Sequence, residues 1–521
     1  MTIVETLSGR VAGVRKQSVD AFLGIPYAAA PVLGRRFQSP KPAVPWSGVR
    51  PATEFGPAPP QRIQSMVSWI YPQSHSMSED CLSLNVWAPV GAAKRPVVVW
   101  IHGGGFRCGA TSMPLFDGQR FAALANVVFV SINHRNSTLG WLSHPQFEDP
   151  DTGATANWGL QDQVQALQWV HDNIAAFGGD AAHVTLMGQS GGAINAVMIG
   201  QNPLTRHLIH QLILLSPPYI ATPGFANQAD AAALTEELAH ALGTSVLGLR
   251  DTPAEDLQIA ELSQWLSGRV RLKTGRFMRG TVVDGLTLRD WPAALDLPPV
   301  PTLLGYTRTE GSFWTDLVEP SGQRVLPEPP RGAAERAACE QFLGQIFDAS
   351  SPGQWPAIVD TYFAAYEGNQ TEAPTGVLAE LIGDALLRQY GLRAAGRAAK
   401  KGRRGLYVFD YALPLMPPGR GVPHCCELPI VFGTFDLPHY RDKVGHNALQ
   451  RSLSDLVIRS FGAFAESGKP NTPDVADWRE FDPSGATTLT LGAAGTLAAV
   501  GRTPKAEILA CFDALGPQPA G

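Results

Sequence analysis

The sequence is poor in three features that mark specialised proteins. Cysteine is scarce: six residues in 521, at positions 81, 108, 339, 425, 426 and 511. That is too few for a disulfide scaffold, and no spacing among them makes a metal site. A basic excess is also missing, with 41 Lys and Arg against 46 Asp and Glu and a net charge of −5. Nothing therefore gathers positive charge against a nucleic-acid backbone or an anionic membrane surface. Nor does any apolar stretch approach the roughly 20 residues that cross a bilayer; the longest are short pieces such as Val97-Val98-Val99-Trp100-Ile101. The opening MTIVETLSGRVAGV lacks a basic start followed by an apolar core, so no secretory signal is expected. Few cysteines make a reducing, cytoplasmic setting the expectation, with secretion after signal removal left open.

What is present suits a large globular body. Hydrophobic residues make up 44% and charged residues 17%, enough apolar material for a sizeable core. The 53 glycines and 43 prolines show no fixed period, which points to irregular loops and away from collagen or a repeat array. Length alone suggests about three domains, yet one large α/β sheet accommodates such a chain, and a single domain over 1–521 is expected. Continuous apolar runs at Val97–Ile101, Val127–Ile132, Val184–Met187 and Leu212–Leu215 read as buried parallel strands, with later ones at Leu303-Leu304 and Leu406–Phe409. Between Gly159 and Phe177, Leu160, Val164, Leu167 and Ile174 fall on one helical face. Strands alternating with helices imply a doubly wound, mostly parallel sheet. Pro/Gly-rich stretches near 320–333 and 412–423 are expected to be surface connections or lid segments.

Two glycine motifs stand on these strands. Gly188-Gln189-Ser190-Gly191-Gly192 fits G-x-S-x-G, a weak pattern alone in a chain where one residue in ten is glycine. Here a strand precedes it and a small-residue helix start follows, the strand–turn–helix that a nucleophile elbow requires. A glycine-rich turn with an ordinary serine is the bland alternative. His102-Gly103-Gly104-Gly105-Phe106 ends the Val97–Ile101 strand, and its glycines allow backbone N–H groups to approach a substrate oxygen closely; the bland alternative there is a flexible loop.

Around these motifs the chain resembles the type-B carboxylesterases of the α/β-hydrolase superfamily, the group that includes bacterial carboxylesterases and cholinesterases. The resemblance runs through Phe22-Leu23-Gly24-Ile25-Pro26-Tyr27-Ala28, Arg36-Phe37, Ser78-Glu79-Asp80-Cys81-Leu82, and the stretch from Asn157 through Asp162-Gln163, Asn173-Ile174 and Phe177-Gly178-Gly179-Asp180 to the elbow. It implies an α/β-hydrolase fold with lid or cap insertions and a serine esterase. Thr309-Glu310-Gly311-Ser312-Phe313 resembles the family's E-G-x-F setting of the acid, and Pro423-His424-Cys425-Cys426-Glu427-Leu428-Pro429 its histidine block. The implied triad is Ser190, Glu310 and His424, in α/β-hydrolase order, with Asp284 the rival carboxylate. Backbone N–H groups of Gly104, Gly105 and Gly191 would form the oxyanion hole, and Trp69, Tyr71, Phe106 and Trp158 fall in segments that line the substrate pocket in relatives.

The expected partner is a small-molecule ester, with no nucleic acid, no membrane, no metal and no cofactor, and the expected state is a monomer or small homo-oligomer. Departures from the pattern carry further expectations. No cysteine precedes Cys81, so it should be a buried free thiol, with Arg36 pairing Glu79 to hold its loop. Gly191 stands where alanine is common, and Cys425-Cys426 where a glycine or other small residue is usual. Two classes of function fit: a serine carboxylesterase, and a non-catalytic binding or adhesion relative of the same fold. The second branch typically loses the nucleophile, whereas Ser190 is present here.

Overall fold

The computed structural model describes residues 1–62, 68–72, 76–218, 226–266, 280–288, 296–315, 330–347, 353, 355–366, 375–415, 421–485, 487–493 and 496–515. The chain forms two compact units. One comprises Met1–Ile63, Pro72–Leu212 and Ile220–Pro292; the other comprises Gln64–Tyr71, Ile213–Tyr219 and Ala293–Gly521.

In the first unit, β1 (Thr2–Thr6), β2 (Gly9–Lys16) and β3 (Val19–Pro26) form an antiparallel ribbon, with β4 (Val49–Pro51) beside β2. β5 (Ser83–Pro89), β6 (Arg95–Ile101), β7 (Val128–Ile132) and β8 (Gly179–Gln189) complete the order β1-β2-β3-β5-β7-β6-β8. Pairing is antiparallel as far as β7 and parallel across β7-β6-β8. Central parallel strands are covered on both faces, which is why Val97–Ile101 is an unbroken apolar run, Val128–Ile132 is apolar but for Ser131, and both are fully buried. The expected strand Val184–Met187 extends through Gly179–Gln189, because Gly179 already pairs with Arg95 of β6 ahead of an irregularity that precedes Val184. The expected helix is Trp158–Asn173, closed by a 3-10 turn over Ile174–Phe177.

β9 (Gln211–Leu215) follows, buried along its length. A short parallel pair, β10 (Ala226–Asn227) and β11 (Val282–Val283), belongs to the first unit. In the second unit, β12 (Thr302–Thr307), β13 (Leu406–Tyr411) and β14 (Thr488–Leu491) run parallel, and β15 (Ala498–Gly501) closes antiparallel to β14. Among the described residues no helix is long and apolar enough to cross a membrane. The stretch expected as a lid at 320–333 lies almost wholly outside the described residues, as do 416–420. What is described of the other stretch differs from a surface connection. Leu413, Leu415 and Val422 are buried, and the Leu415 amide donates to the Gly421 carbonyl at 3.0 Å. The apolar side chains between those prolines and glycines pull the segment inward.

One buried and one largely buried ion pair brace the first unit. Arg135 grips Asp162 with Nη2 at 2.7 Å and Nε at 2.8 Å, and its amide donates to the same carboxylate at 3.0 Å. Arg36 Nε donates to Glu79 Oε2 at 2.8 Å, as expected, and Nη1 reaches the carbonyls of Leu249 and Thr252. One guanidinium thus fastens three segments, a task its planar fork suits. All six cysteines are free. Cys81 is buried, and burial pushes its thiol well above the ordinary range, so it is a poor nucleophile.

The loop carrying Cys81 is therefore held by ions and packing, with no disulfide. Reducing agent should leave the melting temperature unchanged, and thiol titration of denatured, unreduced protein should count six. Arg36→Ala should cost about 3 kcal/mol, because it strands a largely buried carboxylate and two carbonyls. Fewer than six thiols, or an unaffected Arg36→Ala melt, would contradict this assignment of what holds the loop.

Candidate functional site

In the first unit, β8 delivers the chain to Ser190, and the helix Gly191–Gln201 leaves from it. Ser190 sits at φ 52°, ψ −123°, a conformation L-residues rarely adopt. Its surroundings explain the glycines two residues to either side, Gly188 and Gly192. A Cβ on Gly188 would lie 2.4 Å from the Gly192 carbonyl oxygen, and one on Gly192 would lie 2.3 Å from that of Ile101. Position 191 is different: a Cβ there would stand 3.5 Å from the Phe106 amide nitrogen and 3.6 Å from that of Gly105, ordinary contact. Alanine would fit, so Gly191 is not demanded by space. The same distances put the glycine loop's amides beside the first residue of the elbow helix.

Gly104 and Gly105 both have positive φ, 105° and 59°, and a Cβ on Gly104 would collide with the Cys108 carbonyl. Among the described residues, no hydrogen bond uses the amide of Gly104, Gly105 or Gly191 as its donor. Behind the loop, His102 stacks on His134 with centroids 4.6 Å apart. Burial pushes His102 down to about 3, helped by His134, and burial pushes His134 down to about 4. Both rings are neutral near pH 7 and act as a rigid backing. Phe106, also at positive φ, meets Trp141 edge-on at 4.8 Å.

In the second unit, Glu310 and His424 are brought together. His424 Nδ1 lies 2.7 Å from Glu310 Oε2, with both side chains almost completely buried. The other oxygen, Oε1, accepts from Ser216 Oγ at 2.5 Å and from the Thr307 amide at 2.8 Å. Burial alone would raise the Glu310 carboxyl, but the His424 charge and these hydrogen bonds outweigh it and hold the group below its ordinary value. The His424 amide donates to the Glu310 carbonyl at 3.2 Å, so the two segments are zipped at the main chain as well. Trp314 stacks on the imidazole at 5.4 Å, and Phe313 meets it edge-on at 5.6 Å.

The remaining sequence candidates sit in different surroundings. Trp69 packs 6.3 Å from Phe313, and its carbonyl accepts from His439 and Lys443; Tyr71 is buried close by in sequence. Trp158 is instead a core residue. It has no accessible surface, packs with Phe37, Leu139, Leu142 and Phe147, and donates its indole N–H to the Leu142 carbonyl at 2.9 Å. Its large apolar ring is used for packing and its one donor is spent. Asp284, the rival carboxylate, accepts from Asn157, from Thr287 and from three amides of its own loop. Ser216 escaped the sequence reading, although its place directly after a buried strand, at φ 46°, is where such residues gather. Cys425 adopts φ 74°, which accounts for the usual small residue there.

Glu427 also escaped it. Three residues past His424, it is buried, and neither carboxylate oxygen has a partner on another residue among the described residues. Burial, then repulsion by Glu310, raises it from 4.5 to about 8. Between those values the unfolded chain loses the proton while the folded chain keeps it, so this group costs the native state stability as pH rises. Glu427→Gln should therefore gain more melting temperature over wild type at pH 8 than at pH 5. A gain that is equal at both pH values, or a loss at pH 8, would contradict a protonated Glu427.

With this geometry in view, the relatives can be compared. A family profile described as "Carboxylesterase family" matches residues 1–511. Phenmedipham hydrolase of Pseudarthrobacter oxydans is 30% identical, with 95% of each chain covered. Para-nitrobenzyl esterase of Bacillus subtilis (strain 168) is 29% identical over 94% of each chain. Acetylcholinesterase of Bungarus fasciatus is 31% identical over 90% of this chain and 79% of its own. Among solved structures, a PNB esterase superposes with a TM-score of 0.79 at 27% identity, covering 99% of both chains. A thermophilic PNB esterase gives 0.77 at 27% identity, covering 97% of this chain and 99% of its own. The α/β-hydrolase fold and a carboxylic-ester hydrolase activity follow, and the chain belongs to the carboxylesterase family.

Proposed function

We propose that the protein hydrolyses carboxylic esters through an acyl-enzyme formed on Ser190. His424 takes the serine proton as the hydroxyl attacks the ester carbonyl, and returns it to the departing alcohol. Glu310 orients the imidazole through Nδ1 and balances the charge it acquires. The amides of Gly104, Gly105 and Gly191 donate hydrogen bonds to the developing oxyanion. Water, activated by the same His424, then releases the acid and restores the serine. The observation that carries the reading is the buried 2.7 Å bond between His424 Nδ1 and Glu310 Oε2, with Glu310 held in its charged form. A non-catalytic adhesion relative would have no use for a buried carboxylate kept ionised against a histidine.

The substrate class follows from the relatives and from the aromatic side chains together. One relative is named for para-nitrobenzyl esters, and Trp69, Tyr71 and Phe106 supply aromatic surface on the segments that line the pocket in the family. Esters bearing an aromatic group on the alcohol or acyl side are the proposed substrates.

A panel of esters graded in acyl length and alcohol bulk, assayed with wild type and Ser190→Ala, tests both parts. Removing the nucleophile of such a triad costs on the order of 10⁶ in kcat, and the variant should melt like wild type. Near-normal turnover by folded Ser190→Ala protein would overturn the mechanism. A panel in which aromatic esters are no better than short aliphatic ones would overturn the substrate class.

A further inference from the structure

Beneath Glu310, in the second unit, lies a set of buried charges that the reaction scheme does not use. The helix Val377–Gly383 passes into a π-helical turn, Asp384–Arg388, before the helix Gln389–Lys400 resumes. Single π turns rotate the residues that follow them and often mark functional sites. This one delivers Arg388, whose side chain is 1% exposed. Its Nε donates to Asp384 Oδ1 at 3.0 Å and its Nη1 to Asp410 Oδ1 at 2.9 Å. Nη2 donates to two carbonyls, that of Thr307 and, at 2.9 Å, that of Arg308.

Thr307 makes this more than a stability device. Its carbonyl is held by Arg388, and its amide donates to Glu310 Oε1 at 2.8 Å. One residue therefore connects the guanidinium to the carboxylate. The turn is confined from the helix side as well. A Cβ on Gly311 would lie 1.9 Å from the Ala379 carbonyl oxygen, and one on Gly383 would lie 2.9 Å from Glu310 Cβ. Beyond Arg388 the charges alternate outward. Asp410 also takes Arg308 Nε at 2.6 Å, Asp384 takes the Tyr362 hydroxyl at 2.9 Å, and Lys505 pairs with Glu380 and, at 3.4 Å, with Asp384. Three acids face three bases, so the group is neutral, and each charge is anchored by its neighbours.

We propose that Arg388 is a positioning residue for ester hydrolysis: by holding the Thr307 and Arg308 carbonyls it fixes the turn that aims the Glu310 carboxylate at His424. The proposal rests on Glu310 being the acid of the triad. A planar fork bonded to two carboxylates and two carbonyls leaves the strand end no slack, and loss of alignment at a catalytic group is felt in turnover before it is felt in binding.

A double-mutant cycle separates positioning from general support. Turnover and KM are measured for wild type, Arg388→Met, Glu310→Gln and the double variant. Arg388→Met should lower kcat by about 10- to 100-fold with KM within about twofold, and should cost nothing further in the Glu310→Gln background. An equal loss in both backgrounds, or no loss in the wild-type background, overturns the proposal. Glu310→Gln turning over like wild type overturns the underlying assignment of the acid, whatever Arg388→Met does. Should Arg388→Met fail to fold, Arg388→Lys carries the cycle, since one ammonium keeps the charge but cannot make four fixed contacts. A spectroscopic reading accompanies it. The low-field proton resonance of the His424–Glu310 hydrogen bond should shift or broaden in the Arg388 variant, and an unmoved resonance counts against the proposal.

Discussion

The backbone of Ser190 is the constraint on which the site depends. Holding a non-glycine residue at φ 52°, ψ −123° costs of order 1–3 kcal/mol, and the surrounding structure has to impose it. It does so by crowding. From Val184 onward β8 is buried and paired in register to β6. Gly188 and Gly192 face each other too closely for any side chain, and Gly192 lies against the end of β6. The strand cannot continue and the helix has to begin at once, leaving Ser190 on the turn between them. The same approach of the Gly191–Gln201 helix to the end of β6 sets the glycine loop's amides beside Gly191. One steric arrangement thereby presents the serine and gathers donors next to it.

The second unit faces a different problem, keeping a buried carboxylate charged. Burial opposes it, and three groups oppose burial: the His424 imidazole, the Ser216 hydroxyl and the Thr307 amide. Glu427, three residues beyond His424, shows what happens without such help: its carboxylate has no hydrogen-bond partner among the described residues, and burial, then repulsion by Glu310, pushes it up to about 8. Two glutamates in one neighbourhood are thus pushed in opposite directions, and the His424 charge together with the hydrogen bonds makes the difference.

Much of this was legible in the sequence, for identifiable reasons. Central parallel strands are covered on both faces, so Val97–Ile101 appears as an unbroken apolar run and Val128–Ile132 as one interrupted only by Ser131, and the elbow betrays itself by the glycines that crowding demands. The Glu310–His424 pair, proposed as acid and base, was legible only through resemblance, because a glutamate and a histidine 114 residues apart carry no local signal that they meet. Ser216 and Arg388 were not legible at all. Ser216 looks like any residue ending a strand, and Arg388 owes its position to a π turn that periodicity does not reveal. Trp158 was misplaced because a tryptophan's sequence context does not distinguish a pocket wall from a core; its neighbours Phe37, Leu142 and Phe147 decide for the core.

The claim that Ser190 is the reacting group can be put to one direct measurement. The protein is incubated with a fluorophosphonate, which phosphonylates only a serine activated for attack, and the adduct is mapped by mass spectrometry of the digested chain. The account predicts one phosphonyl group per chain, located on Ser190, forming in step with the loss of esterase activity. An adduct on a different serine that tracks the loss of activity, or full inactivation with Ser190 unmodified, would contradict it.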